Sequence, residues 1–401
     1  MPFNRERNFW LFFVGQTISS FGTSFTRFAL PLLVYELTGS PLSLALTTAL
    51  TFLPVVLFGL LIGVWVDLVD RKRLMIGANM GRAVIIAALP VLAGVHLLSV
   101  GWIYIVAFLS SVLAMCFETG QFAAVASLVS ADDLMRANGR LQASYAMATI
   151  TGSVLGGAAL AVIALPALLV IDAASFLVSA GSLALITSSF NNVHAVREPA
   201  STNLRTGLRK GLRYVWDQPV LRSIVALFVA VNAFAPTVSA QLVLFVKRDL
   251  RADNAHVGIF YGAGSLGVAV LALGAGRVHR RYPYGIIVLG ALMLNGVLTV
   301  ALALTRWYDL ALLLWAAISG LTALGDIATG SLTQARTPGA LMGRVTSVSR
   351  VLAWSTIPLG TMVGGFLVAR TKQVTLVYAV IGTLIVLIAW IFSFTPLRRA
   401  D

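Results

Sequence analysis

The sequence predicts an all-α integral membrane protein, with twelve transmembrane helices in two pseudo-symmetric six-helix bundles. Three observations carry that expectation. Of the 401 residues, 58% are hydrophobic and only 11% charged, against about 25% charged in a soluble domain. That is too little charge to coat a water-facing surface. No Asp, Glu, Lys or Arg occurs over 37–66, 83–117, 141–171 or 373–397, and a spanning helix needs about 20 mostly apolar residues. The longest polar segment, 191–219, separates six apolar stretches from six. A disordered chain, a disulfide scaffold and an ordinary soluble enzyme are excluded by this composition.

The expected spans are 9–35, 42–66, 74–95, 101–129, 141–165, 167–190, 220–246, 257–276, 285–305, 310–335, 345–369 and 374–394. Gly39-Ser40-Pro41 ends the first, a short turn over 96–100 ends the third, and Pro166 splits the fifth from the sixth. The runs far exceed the ~10 residues of a barrel strand. The first span is also too long for the core of a cleavable signal. The organisation is therefore 1–190 as an N-terminal bundle, 191–219 as a central loop and 220–401 as a C-terminal bundle, with little left for an extramembrane domain.

Charge sets the orientation. Arg5 and Arg7, Arg71 to Arg73, Arg136 and Arg140, the basic residues of the central loop, Arg277 with Arg280 and Arg281, Arg336, Arg344, Arg350, Arg398 and Arg399 fall at one end of the spans. Lys247, Arg248, Arg251, Arg306, Arg370 and Lys372 fall at the other. The positive-inside rule then puts both termini in the cytoplasm of a multi-pass protein of the bacterial cytoplasmic membrane. The net charge of +14 reads as this topology signal and as attraction to anionic lipid headgroups, with no nucleic acid as partner. Within the loop, Arg205, Arg209, Lys210 and Arg213 fall on one side and Leu208, Leu212, Val215 and Trp216 on another. That pattern predicts an amphipathic helix at the inner membrane surface; a solvated linker also fits.

Cys116 is single, and His96, His194, His256 and His279 are scattered. No metal site, redox dithiol or cofactor is expected, nor enzymatic activity. No Gly-x-x-x-x-Gly-Lys-Ser/Thr occurs, so no ATPase is expected within the chain.

An internal echo suggests duplication. Ser127-Leu128 and Gly139-Arg140 recur 204 residues later as Ser331-Leu332 and Gly343-Arg344, and Gly156-Gly157 recurs 208 later as Gly364-Gly365. Matches at corresponding turns favour parallel repeats about an axis along the membrane normal.

Gly63-Val-Trp-Val-Asp67-Leu-Val-Asp70-Arg71-Lys72-Arg73 lies between the second and third spans. Gly63 allows close helix approach, Asp67 suits a cap or a pair with Arg71, and the bases suit headgroups. Such a loop reads as a latch between halves; plain positive-inside charge is the other reading. The segment resembles the Gly-x-x-x-Asp-x-x-x-Arg-Lys signature of the major facilitator superfamily, with Asp70 where the signature has glycine. Gln16-Thr-Ile-Ser-Ser-Phe-Gly22, Phe28-Ala-Leu-Pro-Leu-Leu-Val-Tyr35, Arg136-Ala-Asn-Gly139, Gly211-Leu-Arg-Tyr-Val-Trp216 and Gly343-Arg344-Val345 resemble its macrolide-efflux and enterobactin-exporter branch. In the fifth span, Gly152-Ser153-Val-Leu-Gly156-Gly157 resembles the Gly-Pro-x-x-Gly-Gly antiporter motif, with Ser153 replacing proline. An ordinary packing face of Gly152, Gly156 and Gly157 fits equally. The fourth span has Glu118 and Gln121 but lacks the arginine of many proton antiporters in this superfamily.

The resemblance implies the major facilitator fold, with a site near mid-membrane between bundles that rock to alternate access. It implies secondary active export of a small amphipathic compound, through proton antiport, by a chain for which a monomer suffices. An uptake carrier or a lipid flippase on the same fold is the alternative.

With Arg222 and Arg350 counted at the inner ends, five charged residues fall within spans: Arg27, Arg82, Glu118, Asp172 and Asp326. A charge at mid-bilayer costs about 3 kcal/mol on insertion scales, so each needs a partner or a wet cavity. At 1.5 Å per residue, Arg82 and Glu118 match in depth, as do Arg27 and Asp172; both are candidate pairs. Asp326 has no base in its own span. Glu118 and Asp326 sit on corresponding spans and are the candidates for proton coupling or cation binding, with a buried ion pair and a hydrogen-bonded packing residue as their structural readings. Gln16, Asn79, Gln121, Asn232 and Asn295 are candidates for a cavity wall or for interhelical hydrogen bonds.

Overall fold

The computed structural model describes residues 2–130, 133–160, 163–188, 190 and 204–400, and every regular element among them is helical. The helices are α1 (Pro2–Thr38), α2 (Pro41–Leu68), α3 (Arg71–Gly94), α4 (Val100–Leu128), α5 (Leu134–Ala159) and α6 (Leu165–Leu185). Then come α7 (Leu204–Asp217), α8 (Pro219–Asn232), α9 (Pro236–Ala240), α10 (Leu242–Leu244), a π-helical turn (Phe245–Asp249) and α11 (Asn254–His279). The chain ends with α12 (Tyr284–Leu304), α13 (Tyr308–Arg336), α14 (Gly339–Trp354), α15 (Thr356–Thr371), α16 (Val374–Phe392) and a 3₁₀ turn (Pro396–Arg399).

Among the described residues, ten candidate spans are long and apolar enough to cross a bilayer. At the first and fifth expected positions, α1 and α5 have the length, 37 and 26 residues, but carry more polar side chains. Chain punctuation follows local chemistry. Gly39 ends α1 at φ 56°, and its N–H bonds Tyr35 O at 2.7 Å; glycine takes this left-handed conformation without a Cβ penalty. Asp70 caps α3 by accepting from Arg73 N at 2.8 Å. Pro166 sits in the first turn of α6, where its missing N–H costs nothing.

Two expected spans are discontinuous. The one expected over 220–246 breaks after Asn232 and restarts at Pro236, which has no N–H for the helical ladder. The one expected over 345–369 breaks at Ser355.

The chain divides into two compact units, Met1–Gly39 with Leu50–Val196, and Ser40–Ala49 with Arg197–Asp401. In the first, α1 packs on α5 and α6, and α3 on α4 and α6. Phe9, Phe12, Met75, Phe117 and Phe190 are among its buried core residues. In the second, α12 packs on α13 and α16, α8 on α14, α15 and α16, and α11 on α13. Third-with-fourth and third-with-sixth contacts thus recur within each unit, as duplication requires. The α12–α16 crossing is tight. A Cβ at Gly296 would lie 2.7 Å from Gly382 O, and one at Gly382 would lie 2.6 Å from Gly296 O. The second unit also takes in the start of α2, where the fully buried Gln241 donates from Nε2 to Pro41 O at 2.8 Å.

Residues 191–203 of the expected central loop, with Arg197, lie outside the described residues; the rest contains α7. That helix is docked on the second unit. Val215 is buried, Tyr214 Oη donates to Arg336 O at 2.9 Å, and a Cβ at Gly211 would lie 3.1 Å from Arg344 O. Leu212 and Trp216 stay exposed beside Arg209, Lys210 and Arg213.

Candidate functional site

In the first unit a polar centre is built from α1, α3 and α6. Asp172, fully buried on α6, accepts from Thr26 Oγ1 of α1 and from Ser175 Oγ. Two turns beyond Asp172 on α6, Ser179 Oγ accepts from Gln16 Nε2 at 3.0 Å and from Asn79 Nδ2 at 2.9 Å. Asn79 Oδ1 is buried without a hydrogen-bond partner among the described residues. The guanidinium of Arg82 lies 4.0 Å above the Phe176 ring, and its Nε is buried with no hydrogen-bond partner among the described residues. Arg82 feels the charges of Asp172 and, more weakly, Glu118. The cation–π contact and these two carboxylates offset part of the cost of sinking a guanidinium in hydrocarbon.

The paired arrangement expected from depth is not what forms. Neither Arg82–Glu118 nor Arg27–Asp172 is an ion pair within 4.0 Å among the described residues. Arg27 is exposed, 5.4 Å from the Tyr145 ring of α5. Glu118 is exposed on α4. Depth along a helix says nothing of azimuth: Thr26, one residue before Arg27, faces α6 in its place.

In the second unit, Thr322, Asp326, Gly330 and Gln334 recur at four-residue spacing on α13, and all four are exposed. Against acyl chains the Asp326 carboxylate in this row would carry a large penalty. Asp326 has no ion pair or hydrogen bond among the described residues. Asn295 donates to Ile318 O at 3.1 Å and Thr322 Oγ1 at 3.0 Å, holding α12 against this helix.

The two helix breaks lie side by side, which sequence reasoning missed. Asn232 Nδ2 donates to Ala353 O at 2.9 Å, and Thr356 Oγ1 donates to Val229 O at 3.1 Å. Thr237 Oγ1 donates to Gly360 O at 3.2 Å. Side chains of each broken helix thus satisfy carbonyls of the other, as backbone irregularity inside a membrane demands. The proline pair Pro236 and Pro358, a turn or so from each break, was the available signal.

The residues between the second and third spans act inside the first unit. Arg71 donates to Phe190 O at 3.3 Å; Lys72 Nζ donates to Ile186 O at 2.6 Å and Ala184 O at 3.3 Å. Lys72 thus meets the free carbonyls and negative dipole end of α6, and Arg71 a carbonyl of the segment that follows it. Arg73 is exposed. The surroundings of Gly63 and the side chain of Asp67 lie outside the described residues. In α5, a Cβ on Gly152 would lie 2.6 Å from Ser24 Cβ, and one on Gly156 3.0 Å from Phe25 Cδ1. Gly157 is buried as well, and the Ser153 side chain lies outside the described residues.

Comparison with known proteins places this geometry in context. A family model described as transmembrane secretion effector matches residues 1–401. The multidrug efflux pump Tap of Mycolicibacterium fortuitum is 28% identical over 354 residues, covering 86% of this chain and 85% of that protein. Macrolide efflux protein A of Streptococcus pyogenes is 29% identical over 184 residues, 46% of this chain and 45% of that one. Among solved structures, the nucleoside transporter NupG superposes with a TM-score of 0.77 at 14% identity, covering 97% of this chain and 98% of that one. A bacterial homologue of the human lysosomal transporter Spinster gives 0.74 at 13% identity, covering 97% and 96%. At these identities the structures speak to the fold alone.

Proposed function

Because the chain belongs to the transmembrane secretion effector family of the major facilitator superfamily, we propose that it exports a small amphipathic compound, of drug or macrolide type, by alternating access. Relatives named as efflux pumps, one matched over most of its length, support that substrate class. The observation that carries the reading is the exposed polar stripe on α13, with Asp326 unpaired at its centre. An amphipathic cation meets a carboxylate there without burying an uncompensated charge.

We assign energy coupling to protons. Protonation discharges Asp326 or Glu118, and the neutral site pays less to enter a dry, closed state. Each proton brings about 2.3 kcal/mol per 100 mV, plus the pH term. The lipid bilayer is the other partner: exposed Arg209, Lys210 and Arg213 of α7 would rest in anionic headgroups beside Trp216.

The test is efflux and growth protection in cells stripped of their own pumps, with and without an uncoupler. Uncoupler-sensitive loss of a dye or macrolide from loaded cells is expected. Uncoupler-insensitive flux would remove the coupling assignment, and accumulation in place of loss would favour an uptake carrier.

A further inference from the structure

α11 ends on Arg277 and His279, and the chain turns through Arg280, Arg281 and Tyr282 into α12. Three arginines in five residues exceed what one helix C-terminus needs to balance its dipole. None of them lies within 4.0 Å of a carboxylate among the described residues. Arg277, Arg280, Arg281 and Tyr282 line an open cavity of about 600 Å³. A second pocket of about 100 Å³ is walled by His279, Tyr284, Ile287, Leu324 and Ile327. The His279 ring stacks on Tyr284 at 3.8 Å, and its Nδ1 is buried with no hydrogen-bond partner among the described residues. A buried polar atom left unmet in the wall of an apolar pocket, on the residue next to Arg280 in the chain, calls for a ligand atom.

The outer face of α11 indicates what kind. Leu266, Val270 and Leu273 are 54%, 57% and 81% exposed. They share one face at helical spacing, and Arg277 continues the same stripe. An exposed apolar track on a spanning helix lies against acyl chains. Here it runs straight into the basic cavity. A ligand that uses both parts has a long hydrocarbon tail and an anionic head.

We propose that this turn is a binding site for an anionic phospholipid. Arg277, Arg280 and Arg281 hold the phosphate, and an acyl chain follows Leu273, Val270 and Leu266. Charge alone would attract an anionic surface diffusely. The cavity, the unmet His279 nitrogen and the apolar track make the attraction local.

The experiment follows thermal unfolding of the full-length protein in neutral detergent while phosphatidylglycerol is titrated, with phosphatidylcholine and inorganic phosphate as comparison probes. Phosphatidylglycerol is expected to raise the midpoint saturably, and the other two are not. Arg277→Gln, Arg280→Gln and Arg281→Gln should each weaken half-saturation about fivefold, whereas the exposed Arg370→Gln at the opposite end should leave it unchanged. All three side chains are exposed, so the single variants are expected to fold. Equal effects at all four positions, or none at any, would overturn the site. An equal shift with inorganic phosphate would overturn its assignment to a lipid.

Discussion

Asn232 on α8 donates to the carbonyl of Ala353 on α14 at 2.9 Å, so the two interrupted spans of the second unit are tied where each loses its helical ladder. Discontinuous helices at mid-membrane are where transporters place irregular backbone that lines a cavity. Asn232→Leu should therefore cost about 1 kcal/mol of stability and slow transport more than it lowers abundance. Thermal unfolding in detergent together with transport rate per molecule checks this. A variant with normal turnover would reduce Asn232 to a packing bond.

Gly360 tests the same joint sterically. A Cβ there would run into the carbonyl of Ala233, whereas one at Gly290 on α12 meets nothing within 4 Å. Gly360→Ala should destabilise by about 1–3 kcal/mol, the usual cost of overpacking. Gly290→Ala should be neutral or stabilising by up to about 1 kcal/mol. Unfolding midpoints of the two variants, measured side by side, decide it.

Lys72→Met removes the cation that caps α6. A loss of about 1 kcal/mol is expected, with most of it restored by Lys72→Arg. If Lys72→Met unfolds at the wild-type temperature, the 2.6 Å bond to Ile186 O contributes nothing net.

Asp326→Asn and Glu118→Gln should insert normally and reduce gradient-driven efflux to background. Counterflow that needs no gradient should persist in at least one of them. Undiminished efflux in both would exclude these carboxylates from coupling.

Asp253 caps α11 outside the membrane span. Its carboxylate accepts from His256 N at 2.9 Å and contacts the His256 ring at 2.7 Å, and the backbone bond is the larger reason that its pKa is lowered. A lowered folded-state pKa means stability that is present above the ordinary carboxylate range and lost as pH falls through the lowered value. Asp253→Ala should cost about 0.5–1 kcal/mol near neutrality, and the gap to wild type should close on acidification. Thermal unfolding across a pH series reads this; a gap that widens in acid would contradict the sign.

Particular residues show how far the sequence reached. Charge-free runs located the spans and Pro166 the fifth-to-sixth turn, because hydrocarbon thickness and proline geometry act on the local chain. The resemblance seen in Gly63 to Arg73 and in Arg136 to Gly139 led to the family that the whole-chain match establishes. Lys72, by contrast, turned out to face carbonyls 112 and 114 residues away. Pro358 marked the interruption at Ser355, because its ring nitrogen cannot bond the carbonyl four residues back, but nothing local said that the break would lie beside the one before Pro236.

Composition and spacing are enough to say that these helices lie in a bilayer, roughly where each begins, and that five charges must be accommodated there. They do not say toward which neighbour a side chain points. That Arg82 rests on Phe176 while Asp172 is satisfied by Thr26, and that two broken helices mend one another through Asn232 and Thr356, follows from the rotation of each helix about its axis. Rotation is set by packing summed over all neighbours, including glycine contacts such as Gly296 with Gly382, and no stretch of chain read alone contains that sum.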